Sequence, residues 1–262
     1  AVLLATVLIA RTGFSMQLLV FFLLTYAYLA FWFAISYLAN LLGRSSARNA
    51  VSMLSLWILL VLVVPTVINQ AANTVYPMPS RVKLLNEIRQ TKKELSKEQN
   101  KVLDEYLRNH PELISNKGEN AYGYWQDYFA SQELTEKRLA PLIERFDAQL
   151  AKQQRWVNAW GILSPAVMFH DGATRLAGTS SAHYEQFKDY VRSFSLNWRA
   201  HFMPFVFKNE MLGLQELDNL PEFQFRSRSR TAGVFMNISV LLVFSALTVI
   251  WGLALEGKRQ LI

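Results

Sequence analysis

Cysteine is absent from all 262 residues, which removes disulfides, thiolate metal sites and cysteine nucleophiles whatever the redox compartment. No GxxxxGK[ST] loop occurs, so the chain cannot hold ATP in the manner of a P-loop ATPase. No nucleophile motif surrounds any serine, and the sequence predicts a chain that is not itself an enzyme. Only four histidines are present, His110, His170, His183 and His201. Their spacing places no two ligands on one helical turn, so they read as satisfied or exposed histidines and not as a metal site.

Charge is scarce in a different way, being confined to one block. Of the 27 basic and 20 acidic residues, 22 and 19 lie between Asn73 and Thr231, leaving that block nearly neutral. The flanks hold Arg11, Arg44, Arg48, Lys258, Arg259 and the single acid Glu256. The net charge of +7 therefore does not describe a nucleic-acid surface, because the basic residues form no patch interleaved with aromatics. It fits membrane topology.

A hydrocarbon core about 30 Å thick needs roughly 20 apolar helical residues. Met16 to Asn40, Ala50 to Ala72 and Ala232 to Leu255 each meet this without a charge. Pro65 lies towards one end of the second run, where a kink is tolerated best. Ala1 to Ala10 is equally apolar but short, and reads as the end of a span whose beginning is not in the chain, or else as a buried or interfacial half-helix. The basic loop Leu41 to Asn49 and the basic tail after the last run are both expected in the cytoplasm, two spans apart. Residues 73–231 then form an extra-cytoplasmic domain between spans at 1–72 and 232–262. Arg226, Arg228 and Arg230, just before the last span, read as lipid-headgroup or partner contacts, together with Trp198. No ionisable residue falls inside a complete span, which argues against a proton relay or voltage sensor built into these helices.

The fold class is all-α: a polytopic membrane helix bundle with an α-helical extra-cytoplasmic domain. Arg81 to Leu107 reads as a charged helix with a thin apolar stripe (Leu85, Ile88, Leu95, Val102, Tyr106), ended by Asn109-His110-Pro111. A second helical stretch, Tyr122 to Trp160, carries a 3.6-residue face at Leu139, Leu142, Ile143, Phe146, Leu150 and Val157, with Pro141 as a bend or a new first turn. The simplest arrangement is an antiparallel hairpin of these two. Ser164-Pro165 opens a short helix to Leu176, Gly178 to Ser181 supplies a stop and an N-cap, and a further helix runs from about Ala182 towards Phe207. No window alternates with period two, so no sheet is predicted. Trp156, Trp160, Phe169, Trp198, Phe202, Phe205 and Phe207 fit either a headgroup-level belt or the core of a small domain.

The turn Gly43-Arg44-Ser45-Ser46-Ala47-Arg48-Asn49-Ala50 precedes a span holding Trp57 and Pro65, and Tyr76-Pro77-Met78-Pro79-Ser80-Arg81 follows it. Later come Ser164-Pro165-Ala166, Gly178-Thr179 and Phe187. In this order the chain resembles permease subunits of type 2 ABC exporters, from a bacterial branch with a large helical insertion before the final span. The resemblance implies six spans, of which this chain would hold the end of the third and all of the fourth to sixth. It also implies a location in the bacterial inner membrane, pairing with a second permease copy or homologue, and drive from separate cytoplasmic P-loop ATPase subunits that carry the ATP and Mg. The departure is that the first two spans, and the coupling helix between the second and third, are absent from this sequence. Arg44, Ser45, Ser46 and Arg48 are the expected secondary contact with that ATPase; the alternative is that Arg44 and Arg48 only set topology against anionic lipid.

Two other functions compete. A receptor with a helical sensor domain would need a sizeable cytoplasmic output segment, and Glu256 to Ile262 is short for one. A scaffold for an envelope machine is not separable from the permease by sequence. An extra-cytoplasmic protein partner for residues 73–231 fits either the permease or the scaffold.

Overall fold

A computed structural model of the chain describes residues 15–42, 45–78, 80–97, 99–111, 123–208, 213, 220–226, 231 and 233–260. The apolar stretch Ala1 to Ala10 and Arg44, Arg228 and Arg230 lie outside the described residues. Every regular element described is helical, and no strand occurs among these residues.

Among the described residues, three helices are long and apolar enough to cross a membrane: α1 (Met16–Leu42), α2 (Ser46–Val75) and a final helix, Val234–Gln260, whose apolar part is Val234–Gly257. Between α2 and the final helix come α3 (Arg81–Lys97), α4 (Gln99–Asn109), α5 (Tyr124–Trp160), α6 (Pro165–Ala177) and α7 (Ser181–Lys208), so that Val234–Gln260 is α8. The expected punctuation is in place. Ser164 caps α6 by accepting from the Val167 N–H, with Pro165 at the first helical position, and Gly178 ends it at φ 76°, the left-handed conformation that glycine adopts without steric cost.

The chain divides into two compact units that do not follow sequence order. The first joins residues 1–75, 154–187 and 226–262, and the second joins 76–153 and 188–225. The apolar unit therefore takes in α6, which lies between the second and third apolar helices in the sequence. Along α1 the buried residues Val20, Leu24, Ala27, Phe31 and Ala34 recur at helical spacing and share a core with Val234, Ile238 and Leu241 of α8 and Met168 and Leu176 of α6. Small residues set the approach distances, as is common between membrane helices. A Cβ on Gly252 of α8 would lie 2.7 Å from the Tyr37 ring of α1, and one on Gly172 of α6 would lie 2.6 Å from Leu24. Since α6 meets both Leu24 and Asn237 while Tyr37 meets Gly252, α1 and α8 run parallel.

α6 is held by two polar junctions. The first begins with a defect in α2. Residues Leu59–Val63 are a π-helical turn, in which the Val64 N–H donates to the Leu59 carbonyl. The next donor in that register would be Pro65, which has no N–H. The Leu60 carbonyl thus lacks a donor in its own helix, and the Ser164 hydroxyl donates to it at 2.7 Å. Ser164 is fully buried. At the second junction Asn237 Nδ2 of α8 donates to the Met168 carbonyl at 3.1 Å and to Asp171 Oδ2 at 2.9 Å. The same carboxylate oxygen accepts from Arg175 Nε at 2.8 Å. Gly233, at φ 83°, faces the Arg175 guanidinium, where a Cβ would approach to 3.3 Å.

Ser164→Ala removes an N-cap, worth about 1 kcal/mol, and strands the part-buried Leu60 carbonyl, at about 1–3 kcal/mol. The apolar unit is expected to lose about 2 kcal/mol or more in denaturant titration of the detergent-solubilised chain, with Ser164→Thr restoring most of it. An unchanged midpoint for the alanine variant would show that the hydroxyl is dispensable.

Candidate functional site

In the charged unit α5 is the central helix, and α4 and α7 both run antiparallel to it. Partners along α4 and α5 move in opposite directions: Glu105 pairs with Arg138 at 3.5 Å, and His110 Nε2 lies 3.0 Å from Glu133. The Gln149 amide donates to the Pro77 carbonyl at 3.2 Å, extending the same order towards the start of the unit. The expected hairpin of the two charged stretches is therefore present. Across α5 and α7, Asp147 pairs with Lys188 at 2.8 Å, Glu136 with Arg199 at 3.0 Å, and Gln126 donates to the Val206 carbonyl at 2.6 Å. The tight core lies at one end, where Tyr106, Ala130, Leu134, Met203 and Phe207 are buried. Tyr106 stacks on Phe207 with ring centroids 5.3 Å apart. Leu139 is buried, whereas Ile143 of the same predicted face is exposed.

Beside that core the helices part around a cavity of about 500 Å³, within the range of small-molecule sites, about 300–1,000 Å³. Its apolar wall comes from Tyr106, Leu196, Met203 and Pro204, and the small Ala140 and Ala200 leave the space unfilled. Its polar wall comes from His110, Glu133, Glu136, Lys137, Arg192 and Arg199. Both long helices carry an internal proline here, Pro141 in α5 and Pro204 in α7. Each proline denies a helical hydrogen bond to the carbonyl four residues back, Lys137 and Ala200, and interior proline costs about 3 kcal/mol. Lys137 and Ala200 both line the cavity.

The carboxylates are already engaged. Glu133 accepts from Lys137 at 2.8 Å as well as from His110. Burial alone pushes its carboxyl up, but the hydrogen bonds and charges of Lys137 and His110 outweigh that and hold it below the ordinary carboxylate value. Arg192 is placed differently, with its nearest carboxylate oxygens at 4.0 Å (Glu136) and 3.9 Å (Glu144). Both are beyond hydrogen-bonding distance. Lys137, Arg192 and Arg199 thus share the cavity wall with Glu133 and Glu136, and Glu144 stands beside Arg192.

The residues singled out in the sequence are dispersed. Ser45 caps α2 by accepting from the Arg48 N–H, and Asn49 donates to Asn40 at 2.9 Å, tying the start of α2 to the end of α1. Ser46 and Arg48 are exposed beside this tie. Trp198 spends its indole N–H on the Pro221 carbonyl at 3.1 Å and packs on Phe202 with centroids 4.4 Å apart, while the residue remains 40% exposed. Arg226 is exposed. Among the aromatics, Phe207 is core, and Phe169 packs on Phe21 and Tyr28 in the apolar unit. No group of three or more His, Asp or Glu side chains suited to a metal ion occurs among the described residues.

A protein-family model described as a domain of unknown function (DUF3526) matches residues 81–226, more than half of the chain. The chain belongs to the DUF3526 family. The DUF3526 segment begins at the first residue of α3, contains the whole cavity, and also contains α6, which packs in the apolar unit. No curated protein and no solved structure matches the chain.

Because the folded-state value of Glu133 lies below its unfolded one, its contribution to stability is complete above the ordinary range, about pH 4.3. It is lost as pH falls through the lower folded-state value. Glu133→Gln is expected to destabilise the charged unit at neutral pH and to flatten that part of the acid limb, as read by circular dichroism melts between pH 3 and 7. Parallel acid limbs in the two proteins would refute the assignment.

Proposed function

We propose that the chain is the membrane-spanning permease subunit of an ATP-driven ABC exporter in a bacterial inner membrane. Residues 73–231 lie outside the cytoplasm in this reading, where they gate an exit path or dock a partner. The observation that carries it is the pairing of uncharged apolar helices with a structured turn. α1, α2 and the apolar part of α8 up to Leu255 contain no charged residue except Arg48 in the first turn of α2. Helices of this kind can move as packed bodies but cannot themselves supply a proton or ion gradient with a relay. Work would then come from an ATPase through a cytoplasmic element with two arrangements. The turn at Ser45 to Asn49 is capped and tied to α1 through Asn40, an arrangement that suits an element transmitting a push. The parallel course of α1 and α8 supports placing the turn after α1 and the tail after α8 on one side. α2 leaves most of its residues exposed within a single chain, which suits lipid or a second permease.

In this reading ATP and Mg belong to the partner, and no residue of this chain is catalytic. The test is purification of the full-length protein from its native membrane in mild detergent, followed by assay for a co-purifying P-loop ATPase and for ATP turnover. A complex containing such an ATPase supports the permease; a homogeneous chain with no ATPase points to a sensor or scaffold. Reversing both arginines (Arg44→Glu with Arg48→Glu) is expected to lower the amount of ATPase recovered several-fold. Undiminished recovery would remove the turn as a contact and leave topology as the role of those charges.

A further inference from the structure

We propose that the cavity walled by α4, α5 and α7 binds a small amphipathic anion, its carboxylate or phosphate head on Arg192 and its apolar body against Leu196, Met203 and Tyr106. The site stands independently of the permease reading, because every residue it uses belongs to the charged unit.

The sign of the ligand follows from which polar groups are already spent. Glu133 is hydrogen-bonded by Lys137 and His110, and Glu136 is ion-paired with Arg199, at 2.8–3.0 Å. A cationic ligand would meet carboxylates that already face Lys137, His110 and Arg199. Arg192 makes no hydrogen bond among the described residues, its two ion pairs being 3.9 and 4.0 Å long. Its guanidinium has five N–H donors in a planar fork, which matches a carboxylate or phosphate bidentately.

The apolar part of the ligand follows from what surrounds Arg192. Leu196 lies one helical turn along α7 and Met203 three turns along, so a head on Arg192 directs a chain over an apolar wall. Ala140 and Ala200 stand where larger residues would close the bundle, and the two prolines interrupt the α5 and α7 hydrogen-bond ladders beside the same space. A cavity of about 500 Å³ accommodates a head and a short chain, and an inorganic anion alone would leave most of it empty.

The experiment is calorimetric titration of the full chain in lipid nanodiscs, with octanoate and octyl phosphate as probes and empty nanodiscs as the blank. Saturable binding of at least one probe is expected, with octyltrimethylammonium and inorganic phosphate weaker by about tenfold or more. Arg192→Ala is expected to weaken binding about tenfold or more, the loss typical of a hydrogen-bonded charged group. Ala200→Phe should fill the cavity and abolish binding; if it fails to fold, Ala140→Leu serves instead. Preference for octanoate identifies a carboxylate-headed ligand, and preference for octyl phosphate a phosphate-headed lipid. Heats no larger than the blank for both probes, equal binding of the ammonium probe or of inorganic phosphate, or unchanged affinity in Arg192→Ala would each overturn the proposal.

Discussion

A carbonyl without a donor is the constraint from which the apolar unit is built. Backbone polar groups in a bilayer must be satisfied by the protein, because no water is available to do it. Pro65 and the π turn before it leave Leu60 in that position, and the hydroxyl of Ser164 answers it. Since Ser164 is also the N-cap of α6, one side chain fixes both where α6 starts and which helix it starts against. The remaining contacts follow from that placement. Gly172 can then touch Leu24, Phe169 can pack on Tyr28, and Asp171 reaches Asn237. A short helix with thirteen residues is thus joined to three much longer ones by a few directional bonds and two close approaches.

The charged unit is held by different physics. Its helices are laced by ion pairs that are mostly half-exposed, and exposed pairs contribute about 0–1 kcal/mol each. Their value is in specifying register, since the acids of α5 and the bases of α7 pair in order in the antiparallel alignment. Cohesion comes from the Tyr106–Phe207 end, where the apolar side chains are buried together. Stability is therefore uneven along the unit, with a firm end and a looser, cavity-bearing middle. Regions of low contact density are the ones that open locally at least cost.

Much of this architecture was readable from residue order. Uncharged runs located the apolar helices to within a few residues, and Ser164-Pro165 and Gly178 marked α6 correctly because capping is a local property of two or three residues. The antiparallel pairing of α4 with α5 was also legible, from two helical stretches separated by the stop at His110-Pro111. What escaped is non-local. Asn237 looks like one tolerable polar residue in a span until Asp171 is seen beside it, and α6 looks like part of the charged domain until its partners are known. The cavity was hidden for a related reason. Ala140, Ala200 and Arg192 are unremarkable on their own helices, and only the pairing of α5 with α7 turns small residues into a space. His110 read as a helix terminator, whereas its ring also binds Glu133.

The placement of α6 also has a consequence for the order in which the protein can be assembled during synthesis. Leu24 and Leu60, which α6 touches first, are already made when it emerges, but Asn237 lies 66 residues beyond Asp171. At about 5–20 residues per second, α6 exists for roughly 3–13 s before that partner is translated. During this interval the Asp171–Arg175 ion pair can satisfy the acid, because the two residues sit one turn apart on the same helix and need nothing else. The pair thus serves as a temporary internal cap on charge. It lets α6 wait beside α1 and α2 as a self-neutralised segment until α8 enters and completes the bundle.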